Sequence, residues 1–518
     1  MTQLKPDDQA QGNATRPGYF LLILLYIAIL ALPLLLAGVG HFTPATKFVH
    51  QVAIALGLLG LMIVITSFIL AARYQWVARP FGLDAVLLFH RRMAVVGFAF
   101  ILLHIALMAV GHIQLLTQLW LPWNIQLGRV AILLLIVQIV VSLYRAGLKV
   151  EYEKWRITHR VIGLGVLLFA FSHAFFSSHG FAPWPMRLLV VPLAIAAFCS
   201  IIWSRVFRPG RLKEFRYQVA DVREIHKSVW QINLKPAAGG QAIPYRPGQF
   251  AFFNFHRTRN GLSSEEHVWT IASSPTEPDG LMLAVKELGD FTRTMNRTVP
   301  GDAVTVHGPF GLFSHTLHPP AGEMVFIAAG IGITPFRSMI RWIADRGESR
   351  PVLLLYANKS ADDIPFLEEL SQCQRRSGGA IRIVNVLSRP AGNWTGEKGH
   401  IDIALINKYL RGILADKTFW VCGPAAFTTS IIRQLRDAGV PAAAIHNEAF
   451  CLVHAPVQPD GRGTHLRKLT ACITILMLLL AVLFALAKTD FLQYRGKPHK
   501  AAHPSRHGNA RSRQRSGG

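Results

Sequence analysis

Six apolar runs fill roughly the first two-fifths of the chain, at about 18–40, 48–72, 90–111, 128–148, 157–179 and 186–204. Each has about the 20 residues that an α-helix needs to cross a bilayer, so the pattern predicts six membrane helices. Lysine and arginine crowd the linker between runs two and three (Arg73, Arg79, Arg91, Arg92) and that between four and five (Arg145, Lys149, Lys154, Arg156). They also crowd the exit from run six (Arg205, Arg208, Arg211, Lys213), while the other linkers carry few. The positive-inside bias then puts both ends of this unit, residues 1–209, in the cytoplasm. Run one follows a polar leader and is too long for a signal-peptide core.

After Pro209 the period changes. Short alternating runs such as 214–219 and 230–234, separated by Gly and Pro turns, predict an antiparallel β-barrel over 210–318. Over 319–455, apolar strand-like runs at 324–328, 352–356, 381–386 and 418–421 alternate with helical patterns such as 335–345. That alternation predicts an α/β unit on a parallel sheet. The remainder, 456–518, reads as a linker, a seventh apolar span at 469–487 and a basic tail that composition predicts to be disordered. If the seventh span crosses, the tail lies outside, against the charge bias. The expected fold class is a multi-domain membrane protein: a six-helix bundle, a barrel domain, an α/β domain and one extra C-terminal helix.

Four histidines change this from architecture to chemistry. His90 and His104 fall in run three, and His159 and His173 in run five, both pairs fourteen residues apart. Fourteen helical residues rise about 21 Å and return to nearly the same face. Two such helices running the same way set His90 opposite His159 and His104 opposite His173. That is the geometry for two haems stacked across a membrane, each iron held by two imidazoles and suited to electron transfer. Gly97, Gly163 and Gly165 lie between the histidines of each pair and would leave room for the macrocycles. His41, His50, His112 and His179 lack partners at matching spacing and read as outer-surface residues.

Composition narrows the options. The chain is 51% hydrophobic and 16% charged, with a net charge of +25. The basic residues lie mostly at the ends of apolar runs and in the tail, which fits lipid headgroups rather than nucleic acid. The five cysteines (Cys199, Cys373, Cys422, Cys451, Cys472) form no CxxC. Neither an iron–sulfur centre nor a disulfide framework is supported.

The barrel region carries Tyr245-Arg246-Pro247-Gly248-Gln249-Phe250, then His267-Val268-Trp269-Thr270-Ile271-Ala272-Ser273, then Lys286-Glu287-Leu288-Gly289-Asp290-Phe291-Thr292, and it closes on His307-Gly308-Pro309-Phe310-Gly311. Together these offer hydroxyls and amides to a flavin edge, and a lysine and Gly turn to a pyrophosphate. In the α/β region, Gly330-Ile331-Gly332-Ile333-Thr334-Pro335 ends a strand and opens a helix, where backbone amides can meet a nucleotide pyrophosphate. Cys422-Gly423-Pro424 is a second such junction and would border the nicotinamide.

With these motifs in this order, the chain resembles the ferric reductase transmembrane domain fused to a flavin and nucleotide module of the ferredoxin–NADP reductase type, the arrangement of NADPH oxidases and ferric-chelate reductases, including bacterial ones. The resemblance covers about residues 15–450. It implies FAD, two b-type haems and NADPH, with NADH as the alternative donor. It implies a multi-pass protein of the cell membrane with cytoplasmic flavin and nucleotide domains. Electrons would pass to an outer acceptor, oxygen in the first reading and chelated ferric iron in the second. A third reading is an electron-donor subunit to an external partner, docked through the seventh helix or the tail. By carry-over, His267, Thr270 and Ser273 contact flavin, and Lys286, Gly289 and Thr292 its phosphates. Phe450 is the terminal aromatic that stacks on flavin, and Cys422 is the residue beside the nicotinamide. Ser388 and Arg389, with Lys359 nearby, fall where the family binds an adenosine 2′-phosphate. Two positions depart from the family: the chain runs on past Phe450, and Met108 stands one turn beyond His104 where oxygen-reducing members carry a histidine.

Overall fold

The computed structural model describes residues 15–38, 48–110, 112–145, 147–177, 184–208, 212–257, 265–277, 280–319, 322–392, 394–410, 412–448 and 461–488. Among them are seven helices long and apolar enough to cross a membrane. They are α1 (Thr15–Gly38), α2 (Phe48–Ala71), α4 (Leu83–Ala109), α6 (Trp123–Tyr144), α7 (Tyr152–Ser177), α8 (Trp184–Ile202) and the C-terminal α13 (Gly461–Lys488). Short helices α3 (Gln75–Phe81) and α5 (Gln114–Thr117) flank α4. The helices α4, α6 and α7 start five to seven residues before their apolar runs. Their first turns carry residues such as Asp84 and Glu153, which hydropathy alone assigns to linkers.

The seventh span is not an appendage. Ile473, Met477, Ala481 and Phe484 of α13 are buried in one cluster with Tyr26, Leu30 and Leu34 of α1 and with Leu56, Leu59 and Ile63 of α2. The expected six-helix unit is thus, in this structure, a bundle with α13 seated against α1, α2 and α4. Hydropathy shows that a segment can span; it does not show what the span packs on. Within the bundle α4 lies mainly on α2, and α7 on α6, so the two histidine helices face each other without close packing.

The next unit is a curved six-stranded antiparallel sheet, an open half-barrel, with strand order β4-β3-β6-β1-β2-β5. Its strands are β1 (Arg216–His226), β2 (Val229–Pro236), β3 (Phe250–His256), β4 (Glu266–Thr270), β5 (Leu281–Lys286) and β6 (Ala303–Phe310). Alternate residues turn inward, as the period of two requires: Tyr217, Val219, Ile232, Leu234, Phe253, Phe255, Leu283, Val304 and Val306 fill the interior. On the outer face Phe250, Phe252 and Phe310 pack against Ala78 of α3 and Leu83 of α4, so the barrel rests on the membrane unit.

The last unit is a six-stranded parallel sheet of order β10-β9-β8-β7-β11-β12. Its strands are β7 (Met324–Ala329), β8 (Val352–Asn358), β9 (Ile381–Leu387), β10 (Glu397–Lys398), β11 (Thr418–Cys422) and β12 (Ile445–Glu448). Its helices are α9 (Thr334–Asp345), α10 (Leu367–Arg376), α11 (Ile403–Tyr409) and α12 (Ala425–Asp437). The strands read as continuous apolar runs because both faces are covered. Met324, Phe326 and Ala328 face α9 and α10, whereas Val325 and Ile327 face α11 and α12. The strand order reverses between β7 and β11, which makes their carboxyl ends the expected ligand crevice.

Candidate functional site

In the membrane unit the two histidine helices share one register. His90 and His159 are each the eighth residue of α4 and α7, and His104 and His173 each the twenty-second. The fold brings His90 within electrostatic range of His159, and His104 within range of His173. The first pair is near the barrel, because Arg156, one turn before His159, touches Glu266 of β4. The second pair is about 21 Å farther along the helices.

Ring nitrogens show how the imidazoles are held. Nδ1 of His104 lies 2.7 Å from the Ala53 carbonyl, and Nδ1 of His173 lies 2.8 Å from the Asn124 carbonyl. A carbonyl only accepts, so both Nδ1 atoms must donate, and in the neutral ring each Nε2 then keeps its lone pair. That is how metal-ligating histidines are oriented by a supporting hydrogen bond. His159 Nδ1 is 3.1 Å from the Ser142 hydroxyl, and His90 Nδ1 is buried with no hydrogen-bond partner in the protein. The residues present therefore fit a pair of bis-imidazole haem sites. Among the described residues no group of three or more His, Cys, Asp or Glu could hold a metal ion; a haem iron needs two.

The glycines that matter here are not those read from spacing. A Cβ on Gly57 of α2 would lie 2.9 Å from His104 Nδ1, and one on Gly128 of α6 would lie 2.9 Å from His173 Nδ1. Each is four residues after the helix residue whose carbonyl takes the imidazole N–H. Both helices thus use one device, a glycine that lets the ring reach a carbonyl one turn back. Gly97 instead faces Ile63 of α2, and Gly165 faces Leu134 of α6. These two serve helix packing, and Gly163 lies against Gln138 and Phe68. Of the unpaired histidines, His50 is within electrostatic range of His112 and His104; His41 and His179 lie outside the described residues.

In the barrel, Arg246 begins a turn held by its own N–H to Gln249 Oε1 at 2.9 Å, and its guanidinium reaches Thr316 Oγ1 at 3.5 Å. Thr270 is buried, and its hydroxyl has no partner in the protein. Such an orphaned group calls for one, and a flavin edge would supply it. His267 stacks on Phe291 at 3.9 Å between centroids, and its Nε2 lies 3.1 Å from Glu265 Oε2. Burial pushes its pKa down despite Glu265. Ser273 is tied internally: its hydroxyl meets Tyr245 Oη at 2.9 Å and accepts the Met282 N–H at 3.0 Å. Lys286, Leu288 and Gly289 are exposed, and the Thr292 hydroxyl accepts the N–H groups of Leu288 and Gly289 at 2.8 and 2.9 Å, which sets the loop.

In the nucleotide unit the two glycine junctions meet. Gly330 (φ 55°) opens a single 3-10 turn before α9, and its carbonyl accepts from Tyr356 Oη at 3.1 Å. Gly332 abuts Cys422 and Gly423, since a Cβ there would lie 2.8 Å from the Gly423 Cα. Thr334 and Pro335 are buried at the helix start, where proline's missing N–H does no harm. The Cys422 side chain is wholly buried, and burial together with Glu448 pushes its thiol pKa well up. The side chain expected to border a nicotinamide lies at the end of β11 within the sheet core, with Gly423 beside Gly332 at the junction. Lys359, Ser388 and Arg389 are brought together at the ends of β8 and β9 by Ser388 N–H to Asn358 O (3.0 Å) and Arg389 N–H to Lys359 O (2.7 Å). Phe450 lies outside the described residues.

Arg337 of α9 was not signalled by any motif. It is buried, donates to the Ala272 carbonyl at 2.6 Å, and pairs with Glu277 at 3.1 Å and Glu369 at 2.6 Å. Burial works against its charge, but these carboxylates more than offset that. With Ser338 Oγ donating to Ser273 O at 2.6 Å, it fastens the nucleotide unit to the barrel.

Comparison with known proteins gives each unit a match. The family described as ferric reductase like transmembrane component matches residues 56–170, an FAD-binding domain matches 214–311, and an oxidoreductase NAD-binding domain matches 326–432. The chain is 26% identical over 254 residues to the glycine betaine monooxygenase reductase subunit of Pseudomonas aeruginosa, covering 48% of this chain and 67% of that protein. It is 32% identical over 173 residues to cytochrome b5 reductase 4 of Homo sapiens, covering 32% of each. It is 28% identical over 244 residues to ferredoxin–NADP reductase B of Sorangium cellulosum, covering 46% and 97%. Among solved structures, the flavohem-like FAD/NAD-binding domain of nitric oxide dioxygenase from Vibrio cholerae is similar at 24% identity and a TM-score of 0.40, over 45% of this chain and 97% of that one.

Proposed function

Taking this chain as an NAD(P)H-dependent flavin oxidoreductase built on a ferric reductase-like membrane component, the architecture of NADPH oxidases and ferric reductases, we propose that it carries electrons from NADPH across the cell membrane to an acceptor outside, oxygen in the first place. When bound, FAD would turn a hydride into single electrons, and two b-type haems would supply one-electron steps across the bilayer. His90 with His159, and His104 with His173, would hold the haems. The orphaned Thr270 hydroxyl and the Arg246 turn would meet flavin, beside His267 and Ser273, with Lys286, Gly289 and Thr292 at its phosphates. Gly330, Gly332, Thr334, Pro335 and Gly423 would form the nucleotide cradle. Lys359, Ser388 and Arg389 favour NADPH over NADH, because a guanidinium there pairs with a 2′-phosphate. The units divide near residues 209, 318 and 455, with flavin and nucleotide modules in the cytoplasm.

The observation that carries this reading is the pair of outer histidines whose Nδ1 atoms are tied to carbonyls, the arrangement that leaves Nε2 of a neutral imidazole able to bind a metal. Met108 favours chelated ferric iron as a second acceptor, since it replaces the histidine of oxygen-reducing relatives. Protein purified with haem and FAD is given NADPH. Cytochrome c reduction abolished by superoxide dismutase supports oxygen. Insensitivity to the dismutase together with rapid ferric chelate reduction selects the second acceptor, and no haem reduction at all refutes the reading.

A further inference from the structure

Glu266 precedes His267 on β4, so the two side chains leave opposite faces of the strand. Three arginines from three separate membrane-unit segments converge on its carboxylate. Arg73, in the turn after α2, donates from Nη1 to Oε2 at 2.8 Å, and Arg156, in the first turn of α7, donates from Nη1 to Oε2 at 3.3 Å. Arg208, beyond α8, adds its charge through space. The side chains of Glu266, Arg73 and Arg156 are 19%, 16% and 18% exposed. Arg73 has φ 58°, a left-handed conformation that disfavours a residue with a Cβ, and its guanidinium lies 3.8 Å from the centre of the Phe252 ring. Beside this cluster is the apolar seat of Phe250, Phe252 and Phe310 against Ala78 and Leu83.

An exposed ion pair contributes little. Here one barrel carboxylate, largely removed from water, accepts from arginines of two membrane-unit segments and feels the charge of a third, and Arg156 is shared with Glu153 of its own helix at 2.5 Å. Removing its charge takes from Arg73 and Arg156 the carboxylate they share across the contact. The position also matters: Arg156 is one turn from His159, and Glu266 is adjacent to His267. We propose that Glu266 is the electrostatic latch that seats the flavin barrel on the near ends of the histidine helices. It is thereby a positioning residue for electron delivery into the membrane unit. This builds on the functional reading above, and the test separates the two.

The test compares full-length protein, loaded with flavin and haem, as wild type, Glu266→Gln, Glu266→Asp and Arg156→Gln. After anaerobic mixing with NADPH, flavin bleaching in Glu266→Gln should stay within twofold of wild type, while haem reduction slows at least about tenfold, equivalent to about 1.4 kcal/mol. Haem content and reduction by dithionite should not change. Glu266→Asp, which keeps the charge, should recover part of the rate, and Arg156→Gln should reproduce the defect from the other side of the contact. Amide hydrogen exchange should rise in residues 73–81 and 266–270 of Glu266→Gln, a readout that does not depend on bound cofactors. The latch is overturned if haem reduction stays within twofold of wild type, if both phases slow equally, or if exchange in those segments is unchanged. Wild-type protein without haem absorbance sinks the functional reading instead, and the exchange arm still decides the latch.

Discussion

Gly128→Ala places one methyl group where the structure has room for none. The new Cβ would lie 2.9 Å from Nδ1 and 3.0 Å from Cγ and Cε1 of His173. Comfortable contact between such atoms begins near 3.5 Å, so the ring or α6 must move by roughly half an ångström. A ring moving directly away takes Nδ1 from 2.8 Å to well beyond 3 Å from the Asn124 carbonyl, at the edge of hydrogen-bond range. The lost bond is worth about 0.5–1.5 kcal/mol, and overpacking adds about 1–3 kcal/mol. Loss of a supporting contact of this kind lowers metal affinity by about 10–100-fold. The expected result is a protein that keeps its FAD and its inner haem but loses most of the outer haem, or retains it at a shifted midpoint potential. Haem content by the pyridine haemochrome method and a potentiometric titration measure both. Gly57→Ala should affect the same haem through His104. Two haems per chain at unchanged potentials in Gly128→Ala would refute the proposed role of this glycine.

Three further outcomes are expected. Arg389→Ala should raise the KM for NADPH by roughly 10–100-fold, the worth of about 1.5–3 kcal/mol for a hydrogen bond to a charged group, while the KM for NADH changes little in steady-state assays. Gly332→Ala should slow flavin reduction by NADPH and leave dithionite reduction of haem intact in stopped-flow traces, because its Cβ meets the backbone of Cys422 and Gly423. Barrel stability should fall as pH drops from about 6.5 toward about 3. Burial depresses His307 and His315 to about 3 in the folded state, so in that window the unfolded chain binds more protons and acid favours unfolding. Thermal release of flavin fluorescence should show this slope, and His315→Gln should flatten it.

Much of this was legible in the residues, for definite reasons. Hydropathy marks spans because lipid demands apolar length, and a fourteen-residue spacing puts His90 and His104 on one face whatever surrounds them. The strand runs at 324–328 and 352–356 were legible because a doubly covered parallel sheet needs continuous apolar residues. What was hidden depended on neighbours. Gly57 and Gly128 are ordinary helix glycines until α4 and α7 are laid against α2 and α6, and Gly97 looked like room for a cofactor until Ile63 filled its side. Glu266 and Arg337 belong to no motif, and nothing local says that each faces another unit. The integration of α13 was invisible because an apolar helix carries no label for its partner.

Two iron porphyrins bridging α4 and α7 are the core of the proposed relay. The most direct test is the haem-to-polypeptide ratio of purified full-length protein and its His104→Ala variant, each expressed with ample porphyrin supply. A ratio of about two falling to about one, with FAD retained, is predicted by one histidine pair for each iron. A ratio near zero in the parent, or an unchanged ratio in the variant, would contradict it.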